Sequence, residues 1–307
     1  MSAVSAFFKK AWMWSVVRLI PRIFGFWERL GVHITLNSFL SPIPDTRDLT
    51  DEVLGRQTEL KGIAMREPEQ VAWLTEMAAK YRQEYERFPR HATGNPHEYY
   101  VANPSFSGGD AEILWIMVRE FQPAKIIEIG SGFSTLVAAS ALVQNAKTGG
   151  RRGELLAIEP YPKEIIRQGF PGLTELRPER VELVPMDVFE PLGENDILFI
   201  DSSHVLKTGS DVQFEFLEVL PRLQKGVLIH IHDICLPAEY PEVYLRRQQL
   251  FWNEQYLLQA FLAFNDAFEV HWAGAYMHLR QPEALKAAIR SYDGQRWPGS
   301  FWIRKIR

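Results

Sequence analysis

The chain has 307 residues, 46% of them hydrophobic and 23% charged, with a formal net charge of −4. That length buries a full core and suits one large domain with an extension, and the weak negative balance offers no basic footprint for nucleic acid. The single cysteine, Cys235, excludes an internal disulfide and a cysteine-built zinc site, and fits a reducing cytoplasm.

Residues 1–30 mix Phe7, Phe8, Trp12, Trp14, Val17, Ile20, Phe24 and Trp27 with Lys9, Lys10, Arg18, Arg22 and Arg29, opposed only by Glu28. The pattern predicts an amphipathic helix broken near Pro21. No apolar run nears the ~20 residues of a membrane span, and no small-residue cleavage site follows a signal-like core. Two placements stay open. One is a helix packed on the remaining chain or on a second subunit, as in a homodimer. The other is an interfacial anchor in peripheral contact with the inner face of a membrane.

Residues 41–50 carry Pro42 and Pro44 and predict an extended loop. Over 67–88, Val71, Leu74, Met77, Ala78, Tyr81 and Tyr85 share one helical face. Residues 91–106 lack periodicity, and a loop of that length suggests a task; His97, Tyr99, Tyr100 and Asn103 are its candidate lid or acceptor-site residues. A helix follows to about Phe121, with Ser107 or Asp110 as candidate cap. The expected division is a helical extension over 1–90 and a main domain over 91–307.

Ile126-Ile127-Glu128-Ile129 reads as a buried parallel strand that ends at Gly130-Ser131-Gly132, and the apolar stretch 136–143 then reads as helix. Strand, glycine turn, helix lets a backbone approach a ligand at a helix N-terminus. Thr135 stands where a dinucleotide fold has its third glycine, and Glu128 suits a cationic or hydroxyl-bearing ligand better than a pyrophosphate. Four further strand-like runs end in acids: 154–159 at Glu159, 181–187 at Asp187, 196–201 at Asp201 and 226–233 at Asp233. Acids repeated at strand ends, with helices between, predict a doubly wound parallel sheet with a site along one edge. Beyond them, 242–264 reads as a long helix, and 268–277 and 300–306 as strands.

Glu128, Gly130, Ser131 and Gly132 together resemble motif I of the class I S-adenosylmethionine (SAM)-dependent methyltransferases. The phrases Asp201-Ser-Ser-His204, His230-Ile-His-Asp233, residues 252–259 and residues 299–304 are similar to a bacterial subgroup, methyltransferase domain 24. The resemblance spans about residues 100–307. It implies a Rossmann-like α/β fold with a seven-stranded sheet, mostly parallel with the last strand antiparallel. It implies SAM as cofactor, with Glu159 on the ribose, Asp187 at the adenine edge and Asp201 at the methionine end or the substrate. The implied activity is transfer of a methyl group to oxygen on a small molecule or glycan.

A hydroxyl acceptor needs a general base or a metal. The groups for it are Asp201, His204, His230, His232 and Asp233, of which His204, His232 and Asp233 are the catalytic candidates. Three readings stay open: His204 or His232 is the base, oriented by Asp201 or Asp233; Asp201 and Asp233 hold a divalent cation such as Mg²⁺; or the histidines are structural. The histidine beside Asp233 departs from an oxygen-only metal site. Three alternatives to the enzyme remain: an NAD-dependent oxidoreductase, a non-catalytic SAM-binding protein and a metal-dependent hydroxylase on the same scaffold. Cys235 reads as a buried bystander.

Overall fold

The computed structural model describes residues 19, 20 and 23–307. Its centre is a seven-stranded sheet of order β3-β2-β1-β4-β5-β7-β6. The strands are β1 Lys125–Ile129, β2 Glu154–Ile158, β3 Glu175–Arg177, β4 Ile197–Ile200, β5 Leu228–Ile231, β6 Phe268–Ala273 and β7 Phe301–Lys305. Strands β1 to β5 pair in parallel, whereas β7 runs antiparallel to both β5 and β6. The chain reverses its direction of winding at β1 and β4, neighbours through the register Ile129↔Ile200, and at such a switch point a crevice opens beyond the strand ends.

Strand periodicity divides the core. Ile126, Leu155, Ile197, Phe199 and Leu228 face one layer; Ile127, Ile129, Leu156, Leu198, Ile200 and Ile229 face the other. The first layer holds α1 Glu67–Tyr85, α2 Asp110–Phe121 and α3 Phe133–Lys147. The second holds α4 Asp211–Phe214, which continues through a π-helical turn, Glu215–Val219, and α5 Glu254–Leu262. A sheet covered on both faces explains why its strands read as unbroken apolar runs.

The run 181–187 is not a strand. Two 3₁₀ turns, Val181–Leu183 and Met186–Val188, occupy it, and β3 lies just before. Val181 and Val184 enter the core together, a three-residue spacing that belongs to a 3₁₀ turn rather than a pleat, and Pro178 and Pro185 remove ladder donors on either side. The expected long helix over 242–264 is also replaced. A π-helical turn, Val243–Arg247, stands apart from α5, and between them Gln249 takes φ 56°. Strand β6 stops at Ala273; Gly274 makes one more bond to the β7 side, donating to the Ser300 carbonyl 2.8 Å away, and opens α6 Gly274–Arg280. A last helix, α7 Pro282–Ala288, precedes β7.

Two compact units emerge, Met1–Arg56 with Tyr240–Phe251, and Gln57–Glu239 with Trp252–Arg307. The larger unit thus takes in residues 57–90, which the sequence reading assigns to the extension; α1 buries Leu74, Met77, Ala78, Tyr81 and Tyr85 in the first layer. In the smaller unit residues 23–29 are helical, and Phe26, Leu30, Phe39 and Leu40 are exposed, Phe39 at 95%. Residues 1–18, 21 and 22, which carry most of the expected amphipathic helix, lie outside the described residues. Among the described residues, no helix is long and apolar enough to cross a membrane.

Candidate active site

The glycine turn after β1 is built by backbone contact. Gly130 takes φ +91°, and a Cβ there would stand 2.2 Å from the Asp201 carbonyl oxygen, so the turn and the end of β4 touch main chain to main chain. Thr135 explains the missing third glycine: its hydroxyl accepts the Gly132 amide at 2.9 Å and caps α3. Glu128, fully buried beneath the turn, accepts a hydrogen bond from Ser134 Oγ at 2.6 Å through one oxygen. Its other oxygen and the Ser131 hydroxyl are buried with no partner among the described residues. Burial pushes the Glu128 pKa up to about 8 against the pull of Ser134 and Thr135. A buried acid with an orphaned oxygen beside a bare backbone bend fits a ligand that brings a cation.

A cavity of about 470 Å³ opens from this turn, lined at its edges by Gly130, Glu159, Tyr161 and Asp201, a size in the small-molecule range. Glu159 accepts the Tyr161 amide at 2.7 Å and lies near enough to help raise the Glu128 pKa. Sequence reasoning missed Arg180, Val181 and Glu182, which line the cavity past β3. Asp187 is exposed, is not among the lining residues, and sits on the 3₁₀ turn Met186–Val188 rather than at a strand end.

Beside the cavity, β4 and β5 deliver the catalytic candidates to one point. His204 Nε2 lies 3.4 Å from Asp201 Oδ1 and 3.6 Å from Asp233 Oδ2. His232 Nδ1 lies 3.5 Å from Asp201 Oδ1 and 3.7 Å from Asp233 Oδ1. Both His204 and Asp233 hold left-handed backbone, φ 59° and 54°, an uncommon conformation for residues with side chains that clusters at functional sites. Behind each imidazole stands a carboxylate the strand-end pattern did not reveal. Glu254 Oε2 is 2.8 Å from His204 Nδ1, and Asp110 Oδ2 is 3.5 Å from His232 Nε2. Asp110 does not cap α2; Glu112 accepts the Gly109 amide there, while Asp110 accepts the amides of Gly299 and Ser300 at 3.0 and 2.9 Å.

The electrostatics follow from this packing. Burial opposes charge on His204, but Asp201 and Glu254 lift its pKa to about 10. Burial likewise opposes charge on His232, and Asp201, Asp233 and Asp110 outweigh it. For Asp201, burial favours the neutral acid, and the two histidines more than reverse that. His230 behaves differently: burial drives it well below its usual value, and it stacks on Phe199 with ring centroids 3.8 Å apart. It is a neutral core residue. The Cys235 thiol, pushed by burial up to about 12, is no nucleophile. In the 91–106 loop, Tyr99 donates to the Phe106 carbonyl and Asn103 binds the backbone of Tyr100, Ser105 and Phe106; both hold the loop's own shape.

Asp201, His204 and Asp233 offer one ligand atom each, all within 4.8 Å of one another. Glu254 on Nδ1 leaves the His204 Nε2 facing the two aspartates, the outer-carboxylate arrangement of metal-binding histidines. The donor set fits a divalent cation, and its imidazole suits Mn²⁺, Fe²⁺ or Zn²⁺ better than Mg²⁺.

A methyltransferase-domain family model matches residues 127–234, from β1 to just past β5. An uncharacterized protein of Archaeoglobus fulgidus is 33% identical over 168 residues, 52% of this chain and 73% of its own length. The chain belongs to the class I SAM-dependent methyltransferase family. Solved structures of CmcI are similar to this methyltransferase at 15% identity. An apo form matches 73% of this chain and 84% of its own with a TM-score of 0.36, and a form with SAH matches 73% and 91% with 0.35. In this methyltransferase the family match spans the glycine turn, the cavity edge and the Asp201–Asp233 cluster, whereas Asp110 and Glu254 lie outside it.

Proposed function

We propose that this methyltransferase moves the methyl group of SAM to an oxygen on a small molecule or glycan. The cofactor's amino group would pair with Glu128, its backbone would pass the Gly130–Gly132 turn, and its ribose would meet Glu159. The observation that carries the oxygen assignment is the convergence of His204 and His232 on Asp201 and Asp233 within 3.4–3.7 Å, beside the cavity. In-line displacement at a sulfonium draws most of its rate from positioning, and a hydroxyl must also lose a proton as it attacks.

His232 would take the proton at Nδ1, with the Asp110 carboxylate 3.5 Å from its Nε2 on the other side. Asp201, His204 and Asp233 would hold a divalent cation, which when bound lowers the pKa of an acceptor hydroxyl. In the bare cluster the surrounding carboxylates favour the charged form of both histidines, and a cation bound there would oppose it. A non-catalytic SAM-binding protein has no need of four converging acid and imidazole groups beside its cavity. The test is release of S-adenosylhomocysteine from SAM with a panel of catechols, sugars and hydroxy acids. Turnover on amines alone, or on none of the panel while SAM binds, would sink the oxygen assignment.

A further inference from the structure

We infer that Glu254 is a positioning residue, which holds the His204 ring so that Nδ1–H is donated to its carboxylate and Nε2 faces Asp201 and Asp233. The inference rests on the site reading above and goes beyond its residues. Glu254 is entirely buried, and its Oε2 lies 2.8 Å from His204 Nδ1, the shortest contact His204 makes with a carboxylate. A buried acid at that distance accepts the Nδ1–H and fixes which edge of the ring faces the two aspartates.

Main-chain bonds hold the two residues side by side. The His204 carbonyl accepts the amides of Asn253 and Glu254 at 3.1 and 3.2 Å. Asn253 Oδ1 accepts the Leu206 amide at 2.6 Å. These bonds tie the loop after β4 to the first turn of α5 across 50 residues of sequence. The Trp252 ring packs against the His204 imidazole with centroids 4.5 Å apart and planes tilted by 54°. Glu254's second oxygen has no partner among the described residues. A carboxylate so buried would be costly as mere scaffolding, since an apolar side chain would pack without desolvating a charge.

The test compares Glu254→Gln, Glu254→Asp and His204→Ala with the wild type. In ¹⁵N-labelled wild-type protein, the His204 Nδ1 should carry a strongly hydrogen-bonded proton, assigned by its loss in His204→Ala. Glu254→Gln should lower kcat about 10–100-fold, leave the SAM KM within about twofold, and weaken that proton signal; Glu254→Asp should recover part of the rate. A Glu254→Gln enzyme with wild-type kcat, while His204→Ala is inactive, overturns the role of Glu254 and leaves the site reading intact. A fully active His204→Ala enzyme overturns the site reading and the inference with it. Should Glu254→Gln fail to fold, the wild-type spectrum decides: a His204 Nδ1 without a proton refutes the inference.

Discussion

Gly130 and Asp201 meet through their backbones: a Cβ on Gly130 would lie 2.2 Å from the Asp201 carbonyl oxygen, and the Asp201 amide donates to Ile129 at 2.9 Å. The glycine turn after β1 and the acid at the end of β4 are therefore joined main chain to main chain. Gly130→Ala must both move the end of β4 and hold alanine at φ +91°. We expect a loss of about 2–4 kcal/mol in urea unfolding and no measurable SAM binding by calorimetry. Gly132→Ala, with nothing within 4 Å of its Cβ, should unfold within about 1 kcal/mol of wild type yet still weaken SAM binding. Equal stability of the two variants would refute this account.

Asp201 and Asp233 are the carboxylates both histidines share. Asp233→Ala should reduce kcat by at least about a hundredfold, with SAM affinity within a few-fold of wild type. Chelation should inactivate the wild type, and Mn²⁺ should restore it better than Mg²⁺. Activity that persists through chelation would leave His232 as base and remove the cation.

Glu128 gives a pH dependence with a definite sign. Burial raises its pKa from 4.5 to about 8 in the folded protein, so the native state keeps a proton that the unfolded chain has released. Stability from this group is present below pH ~4.5 and is lost as pH rises through about 8. Glu128→Gln should match wild type near pH 5 and exceed it at pH 8.5 by on the order of a few kcal/mol in urea unfolding. SAM affinity in the wild type should rise over the same range, as its ammonium meets the ionised acid. Parallel stability curves for the two proteins would show that Glu128 is ionised throughout.

Asp110 joins two tasks, accepting the amides of Gly299 and Ser300 and backing His232. Asp110→Ala leaves two buried donors unpaired and should cost about 2–4 kcal/mol. Asp110→Asn keeps one acceptor, so it should be milder in stability while still lowering kcat. If Asn and Ala variants turn over at the wild-type rate, His232 needs no orienting partner.

The N-terminal segment carries Lys9, Lys10, Arg18, Arg22 and Arg29 against Glu28 alone, and Phe39 and Leu40 of the same unit are 95% and 79% exposed. Flotation with anionic liposomes separates the two placements of this segment: an anchor makes the full-length protein float and a version lacking residues 1–30 float less, whereas a packed helix makes the two alike. Phe39→Ser with Leu40→Ser should reduce flotation further. Identical flotation of the full-length and shortened proteins would end the membrane reading and leave the packed-helix reading.

What the sequence determined by itself was everything governed by local pattern. Apolar runs closed by a glycine or an acid gave four of the strands, β1, β2, β4 and β5, near their observed limits, and the 125–135 segment gave the glycine turn. Asp201, His204, His232 and Asp233 were legible because each lies at or just past the end of such a run. The failures were also local in cause: an i, i+3 valine spacing between prolines is a 3₁₀ turn, so Asp187 lost its strand. Glu254 and Asp110 became visible only once the chain was folded. Each lies in the first turn of a helix distant in sequence, where an acid is ordinarily a solvated first-turn residue, and only tertiary packing buried these two carboxylates behind His204 and His232. Local periodicity specifies which face of an element is apolar; it carries no information on which buried charge will meet which, because that depends on how elements distant in sequence come together.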